Sequence, residues 1–392
     1  MFVGDILPYG VVFLMTLMVG YSLGLTAAGY FSATYVYVAI VTGLVCGPNL
    51  LSIRRRMPNT ESAGAVVVAS LGLRAAVIAS GALLVICVLK GTGSKEGTVS
   101  LATMLFLGRF FETAIDGPAT SVQYLRGASA YFILRLTVFL TICGSIGFVV
   151  ALNPNIGIHG VAACYLMGCA LGFLLSLTST NSQLKRIAGV FAEGRAQTLE
   201  FGQFFFATAL FLASSRMQPL VIRYFDGESA AGQFAMVQNL FSVLAVASTG
   251  IAGVFFWSRN RTKAGANQAG APWRWLAISI AGGLAIGGVY AAMLDVMYLQ
   301  PLGSSVEVRR VGWLLCLSTP LILAQTILSN QLILLRRDQK MLRLSILNAT
   351  VGVCLVIIMA CLFGPIGAAL SVGITALLSS AVGIYFVRRV DA

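Results

Sequence analysis

The chain has 392 residues, of which 58% are apolar and only 10% charged, with a formal net charge of +13 and a mean hydropathy of +0.89. A soluble domain carries about a quarter charged residues, so a water-soluble enzyme or a soluble nucleic-acid-binding domain is excluded. Apolar stretches long enough to cross a hydrocarbon layer of about 30 Å recur along the whole sequence, and the chain reads as an all-α polytopic membrane protein.

Twelve spans are predicted, at roughly 3–23, 29–51, 64–89, 99–124, 129–152, 159–180, 200–223, 231–257, 274–298, 311–335, 342–363 and 366–387. The connectors are short. The longest, roughly 181–199, lies at mid-chain, and the other sizeable polar loop is roughly 258–273.

The first connector, Tyr21-x-x-Gly24-x-Thr26-Ala27-Ala28-Gly29-x-Phe31, returns as Tyr224-x-x-Gly227-x-Ser229-Ala230-Ala231-Gly232-x-Phe234, an offset of 203 residues. Leu134-Arg135-Leu136-Thr137 returns as Leu342-Arg343-Leu344-Ser345, and Gly157-x-x-Gly160-x-Ala162 as Gly364-x-x-Gly367-x-Ala369. A long-period repeat of this kind marks a doubled bundle. Six spans per half is an even number, so the halves read as two parallel six-helix repeats, residues 1–190 and 191–392, related by an axis along the membrane normal. At the repeated turn, Gly24 and Gly227 are expected in the left-handed conformation that ends a helix, with Thr26 and Ser229 capping the next one. Gly364-Pro365 reads as a glycine closing one helix and a proline opening the next.

Basic residues set the orientation. Seventeen of the 26 lie in the loops after even-numbered spans, in the span turns that border them or in the C-terminal tail, among them Arg54, Arg55, Arg56, Arg126, Lys185, Arg186 and Arg336. By the positive-inside rule both termini are cytoplasmic. The high charge therefore records topology, and no nucleic-acid partner is implied. The eight cysteines all fall in apolar runs without Cys-x-x-Cys spacing, so neither a disulfide framework nor a metal site is indicated.

Charges inside spans need partners or a wet cavity. The fourth span holds Arg109, Glu112, Asp116, Thr120 and Gln123 at spacings of three and four, which puts them on one helix face, with Pro118 as a kink. Arg74 lies near the middle of the third span, and Arg135 lies close enough to the cytoplasmic end of the fifth to snorkel. In the second half Arg216 is embedded, with Gln218, Gln238, Asn239, Gln325, Asn330 and Gln331 as uncharged company. One reading makes these residues a polar passage. The other makes Arg109–Glu112 and Arg74–Asp116 buried ion pairs that lock the first six helices together, with the amides as interhelical glue. The prolines and the glycine set Gly282, Gly283, Gly287 and Gly288 offer bending points, and His159 sits at a hairpin in a structural or solvated role.

The turn Leu23-Gly24-Leu25-Thr26-Ala27-Ala28-Gly29-Tyr30-Phe31, its second copy Val221-Ile222-Arg223-Tyr224-Phe225-Asp226-Gly227-Glu228, and Tyr124-Leu125-Arg126-Gly127 after the fourth span are similar to motifs of one family. On these the chain resembles the polysaccharide-exporter branch of the multidrug/oligosaccharidyl-lipid/polysaccharide superfamily, closest to the O-antigen and exopolysaccharide repeat-unit flippases. Where that family often carries an acidic–basic pair in the seventh span, this chain has Gln218-Pro219, so that pair's role does not carry over. The resemblance implies a flippase in a bacterial inner membrane, moving an undecaprenyl-diphosphate-linked oligosaccharide from the cytoplasmic to the periplasmic leaflet. On that reading Arg74, Arg109 and Arg216 form the path of the anionic head group, since guanidinium groups bind phosphate in a bidentate way. Gln218, Gln238 and Asn239 complete the path, and Glu112 or Asp116 takes up a coupling proton or sodium ion.

A drug or cation antiporter of the same superfamily would favour an acidic cavity, against the basic excess here. A major-facilitator transporter would carry an aspartate and glycines where this chain has Ser52-Ile53-Arg54-Arg55-Arg56-Met57-Pro58-Asn59-Thr60. A polysaccharide polymerase or glycosyltransferase would need a large outer loop, and the outer loops here are short. Gly91-Thr92-Gly93-Ser94-Lys95 lacks the spacing of a nucleotide phosphate loop. With no nucleophile–base constellation either, neither an enzyme nor a cofactor is expected.

Overall fold

A computed structural model describes residues 2–57, 63–91, 96–153, 156–180, 189–260, 272–296, 306–334 and 337–388. Among the described residues the regular elements are helices, as a hydrocarbon environment requires of a chain that must pair its own backbone groups. In chain order they are α1 (Phe2–Leu23), α2 (Leu25–Arg56), α3 (Ala63–Gly91), α4 (Glu96–Ala114), α5 (Asp116–Arg126), α6 (Ala128–Leu152) and α7 (Gly157–Thr178). There follow α8 (Val190–Arg216), α9 (Gln218–Asn260), α10 (Pro272–Leu294), α11 (Val306–Leu334) and α12 (Asp338–Arg388). Nine helical stretches among the described residues are long and apolar enough to cross a membrane. Large apolar side chains such as Leu84, Phe148, Met167 and Leu362 point outward, an arrangement that suits lipid and not water.

The chain forms two compact units, Val3–Leu212 and Ala213–Ala392. The division between these units falls inside α8. The connector expected over 181–199 is helical from Val190 onward, and residues 181–188 lie outside the described residues. Glu193 and Gln197, which fall in that connector, and Glu200, at the predicted start of the seventh span, are polar because they dock on α2 and α3 of the first unit. The middle of the 258–273 loop, Thr92–Lys95, and the basic residues Lys185, Arg186, Arg261, Lys263, Arg336 and Arg389 also lie outside the described residues.

The repeated turn has a defined backbone. Gly24 has φ 87° and ψ 172°, and Gly227, which bends α9, has φ 89° and ψ 179°. With ψ near 180° this is not the left-handed helical region that the sequence suggested but an extended positive-φ region that is essentially glycine's alone. Thr26 does not cap α2: Gly24 is the N-cap, and no side-chain cap bond forms. Gly127, between α5 and α6, has the same geometry, φ 89° and ψ 177°. It too sits in Tyr124-x-x-Gly127-x-Ser129-Ala130, a third copy of Tyr-x-x-Gly-x-Thr/Ser-Ala that a search at the half-chain offset passes over. Gly157 and Gly364, equivalent by the third anchor, also share a positive φ, 73° and 56°.

Glycines also set helix separation. A Cβ on Gly168 of α7 would lie 2.8 Å from the Ile142 Cα of α6. Gly283 and Gly287, candidate bending points, are instead contact glycines in an unbroken α10. A Cβ on Gly283 would meet the Pro320 Cα of α11 at 2.4 Å, and Cys316 Sγ donates to the Gly287 carbonyl at 3.0 Å.

Candidate functional site

The helix that carries the embedded charges is broken. α4 ends at Ala114, Ile115 is a turn, and α5 restarts at Asp116 with Pro118 in its first turn. A proline fits a first turn because its missing N–H has no helical partner there. The break divides the polar stripe. Arg109 and Glu112 turn towards α7, and Asp116 turns between α3 and α6.

Asp116 bridges two arginines. Arg74 is completely buried and places Nη1 2.8 Å from Asp116 Oδ2. Its Nε donates to Asn49 Oδ1 at 2.7 Å, and Nη1 also reaches the Thr113 carbonyl. Arg135 of α6 reaches Asp116 Oδ1 with Nη2. Its Nε lies 3.3 Å from the Tyr131 hydroxyl, and its guanidinium carbon lies 5.5 Å from the Tyr131 ring centroid. Arg135 therefore points inward and does not snorkel, because a two-oxygen carboxylate inside the bundle offers it a better partner than the interface does. Arg74 Nη2 has no hydrogen-bond partner among the described residues. The triad of two guanidinium groups and one carboxylate keeps a net positive charge.

The second pair lies one turn away. Arg109 Nη1 is 2.7 Å from Glu112 Oε2, and the Tyr165 hydroxyl of α7 donates to the same oxygen. Tyr165 fits because residue 108 is glycine: a Cβ there would lie 2.6 Å from its ring. Glu112 Oε1 and Arg109 Nε have no hydrogen-bond partner among the described residues. Glu112 thus retains capacity for a proton or cation, whereas both oxygens of Asp116 are engaged by arginine. Of the three arginines expected on a head-group path, Arg74 is sealed, whereas the Arg109 side chain is 21% exposed and Arg216 half-buried.

The amides of the first unit were invisible to a search for charge. Asn49 and Gln197, both buried, join through Asn49 Nδ2 and Gln197 Oε1 at 3.0 Å. Asn49 Oδ1 also accepts from Ser70 at 2.6 Å. In the second unit Gln238 Nε2 donates to Gln218 Oε1 at 3.0 Å, tying the two arms of α9 across the Gly227 bend. Gln218 is buried, and Asn239 and Arg216 are half-buried. His159 Nε2 lies 2.9 Å from the Gly97 carbonyl, joining the start of α7 to the start of α4. No cluster of three metal-binding side chains occurs among the described residues.

No known family pattern and no curated protein sequence matches the chain. Solved structures do. The lipid II flippase MurJ in an inward closed conformation superposes with a TM-score of 0.75 at 13% identity, over 99% of this chain and 87% of that one. An inward-facing multidrug resistance MATE family transporter of the MOP superfamily gives 0.70 at 14% identity, over 97% and 93%. The eukaryotic MATE transporter AtDTX14 gives 0.68 at 15% identity, over 100% and 94%. The chain has the fold of these transporters. At such identities the likeness concerns architecture, and the cargo has to be argued from side chains.

Proposed function

We propose that this chain is a flippase that moves a lipid-linked oligosaccharide or polysaccharide precursor from the cytoplasmic to the periplasmic leaflet of a bacterial inner membrane by alternating access. Twelve crossings in two parallel six-helix halves, with cytoplasmic termini, complete the reading. The observation that carries it is the full-length similarity to a lipid II flippase. The charge inside the helices supports it. Counted along the interiors of the predicted spans, four arginines (Arg74, Arg109, Arg135 and Arg216) stand against two carboxylates (Glu112 and Asp116), an excess of two positive charges. An interior of that sign attracts a diphosphate head group and repels an organic cation.

On this reading the embedded residues divide the work. Arg109 and Arg216 are the arginines with accessible surface, and on this reading they meet the head group, with Gln218, Gln238 and Asn239 beside Arg216 for the saccharide. Arg74, sealed against Asp116 and Asn49, orients the centre without touching cargo. Glu112, with one free oxygen, takes up the coupling proton or sodium ion. The similarity to MATE multidrug transporters favours an ion-coupled drug or cation antiporter as the second reading.

Both readings meet one experiment. The purified chain in liposomes is given a fluorescent undecaprenyl-diphosphate oligosaccharide on one leaflet, and loss of signal to a membrane-impermeant quencher is followed. Flipping faster than in protein-free vesicles is the expected result, with the rate falling in Arg109→Ala and Arg216→Ala. Transport of a fluorescent organic cation with no acceleration of the lipid would replace the flippase by the antiporter.

A further inference from the structure

Glu193, Gln197 and Glu200 are spaced four and three residues apart in α8, which puts them on one helix face. Arg56, in the last turn of α2, takes both carboxylates. Its Nη1 is 3.3 Å from Glu193 Oε2, and its Nη2 is 2.7 Å from Glu200 Oε1. Burial alone would lower the Arg56 guanidinium's pKa, but the Glu200 and Glu193 carboxylates more than reverse this, so the guanidinium stays charged. Between the two ion pairs Gln197, only 1% exposed, donates Nε2 to the Val66 carbonyl of α3 at 3.1 Å and accepts from Asn49. Asn49 holds Arg74 at Nε, Arg74 holds Asp116, and Asp116 holds Arg135. One chain of polar contacts thus runs from α8 through α2, α3 and α5 to α6. α8 itself continues through Arg216, beyond the division at 212.

We propose that Arg56 and Gln197 form a clasp through which the position of α8 is read by the Arg74–Asp116–Arg135 triad, and that its opening is a step of the transport cycle. The two parts have different strengths. The ion pairs are partly exposed, so they are weak and can open. The Gln197–Asn49 bond is buried, and breaking it leaves amide groups unpaired in a dry interior, so both side chains must rearrange together. Asn49 is the common partner, and its rotation removes the acceptor that fixes Arg74 Nε. Gln197 is a positioning residue: it acts on the ionic centre through Asn49 and touches no cargo.

Hydrogen–deuterium exchange of the full-length chain in nanodiscs tests the clasp without reference to any cargo. Arg56→Glu is expected to make residues 190–200 exchange on the order of tenfold faster, the size of one lost net hydrogen bond. The triple variant Arg56→Glu, Glu193→Arg, Glu200→Arg is expected to restore protection, which a misfolded or generally loosened chain would not do. Gln197→Leu keeps the ion pairs. It is expected to leave 190–200 protected while peptides holding Asn49 and Arg74 exchange faster, and to slow flipping of the fluorescent lipid in liposomes by about tenfold. Unchanged exchange at 190–200 in Arg56→Glu removes the clasp. Native exchange around Arg74, or native flipping, in Gln197→Leu removes the link to the triad. Only the flipping arm rests on the proposed function. If the unaltered chain moves no lipid-linked saccharide, that reading fails and the exchange arms still decide the clasp.

Discussion

Asp116 and Glu112 are one helical turn apart and carry the same charge, yet their surroundings assign them different work. Asp116 is the only carboxylate of a triad whose arginines are buried. Replacing it with asparagine leaves two guanidinium groups facing each other without a counter-charge. Breaking a buried pair in this way costs about 3–5 kcal/mol. Glu112→Gln leaves only Arg109, whose side chain has some solvent access, and the amide can still accept from Tyr165. Asp116→Asn should therefore unfold many degrees below the parent in detergent, whereas Glu112→Gln should unfold near it and lose whatever proton or sodium dependence transport has. Equal losses of thermal stability would mean that Glu112 is as structural as Asp116. The ion pairs of Arg74 and Arg109 were legible in the sequence, because an embedded charge must find an opposite one and few were on offer. Arg135 was misread because its place near a span end makes snorkelling as cheap as pairing. Asn49 and Gln197 gave no signal at all: a neutral amide looks the same in an apolar run (Asn49) or a polar connector (Gln197) whether it binds a neighbour, a ligand or water.

At the scale of elements, the helices announce themselves through hydropathy, and their ends through glycine. Three hairpin glycines share one backbone geometry that a side chain resists. At Gly227 an added Cβ would meet nothing within 4 Å, so the effect of Gly227→Ala is a pure backbone cost, about 1–3 kcal/mol. Gly72, mid-α3, is equally uncrowded but helical. There alanine should be neutral or stabilising by up to about 1 kcal/mol. Thermal unfolding of the two variants side by side separates conformation from packing, and a stable Gly227→Ala would mean that the turn relaxes into an ordinary loop. Sequence reasoning misplaced the beginning of α8 for a related reason. Its first turns were given to the mid-chain connector because they carry charge, whereas Glu193, Gln197 and Glu200 are polar because the groups they meet, Arg56, Asn49 and the Val66 carbonyl, are polar too. Hydropathy sees one partner at a time and cannot tell water from a matching protein surface.

For the whole molecule, the third copy of the turn carries a consequence that the half-chain repeat does not. From Tyr21 to Tyr124 the chain passes through α2, α3 and the α4–α5 pair, and from Tyr124 to Tyr224 through α6, α7 and α8 with the first arm of α9. If each of these crosses the bilayer, three crossings separate successive copies, so the same turn is used alternately on opposite sides of the membrane. Each tyrosine has exposed surface, most of all Tyr224 at 83%, and an amphipathic ring at a hairpin suits the headgroup level. Arg126 next to the middle copy marks that side as cytoplasmic by its charge. Cysteines placed at 21, 124 and 224 in turn, with the parent chain as the background control, should then react differently with a membrane-impermeant maleimide. Tyr21→Cys and Tyr224→Cys should label in intact cells, and Tyr124→Cys only after the inner membrane is opened. Labelling of all three from one side would break the alternation and with it the twelve-crossing, two-repeat topology on which the proposed transport direction depends. The reverse pattern would keep the topology but turn the protein over, placing the termini outside and reversing the leaflet from which cargo is taken.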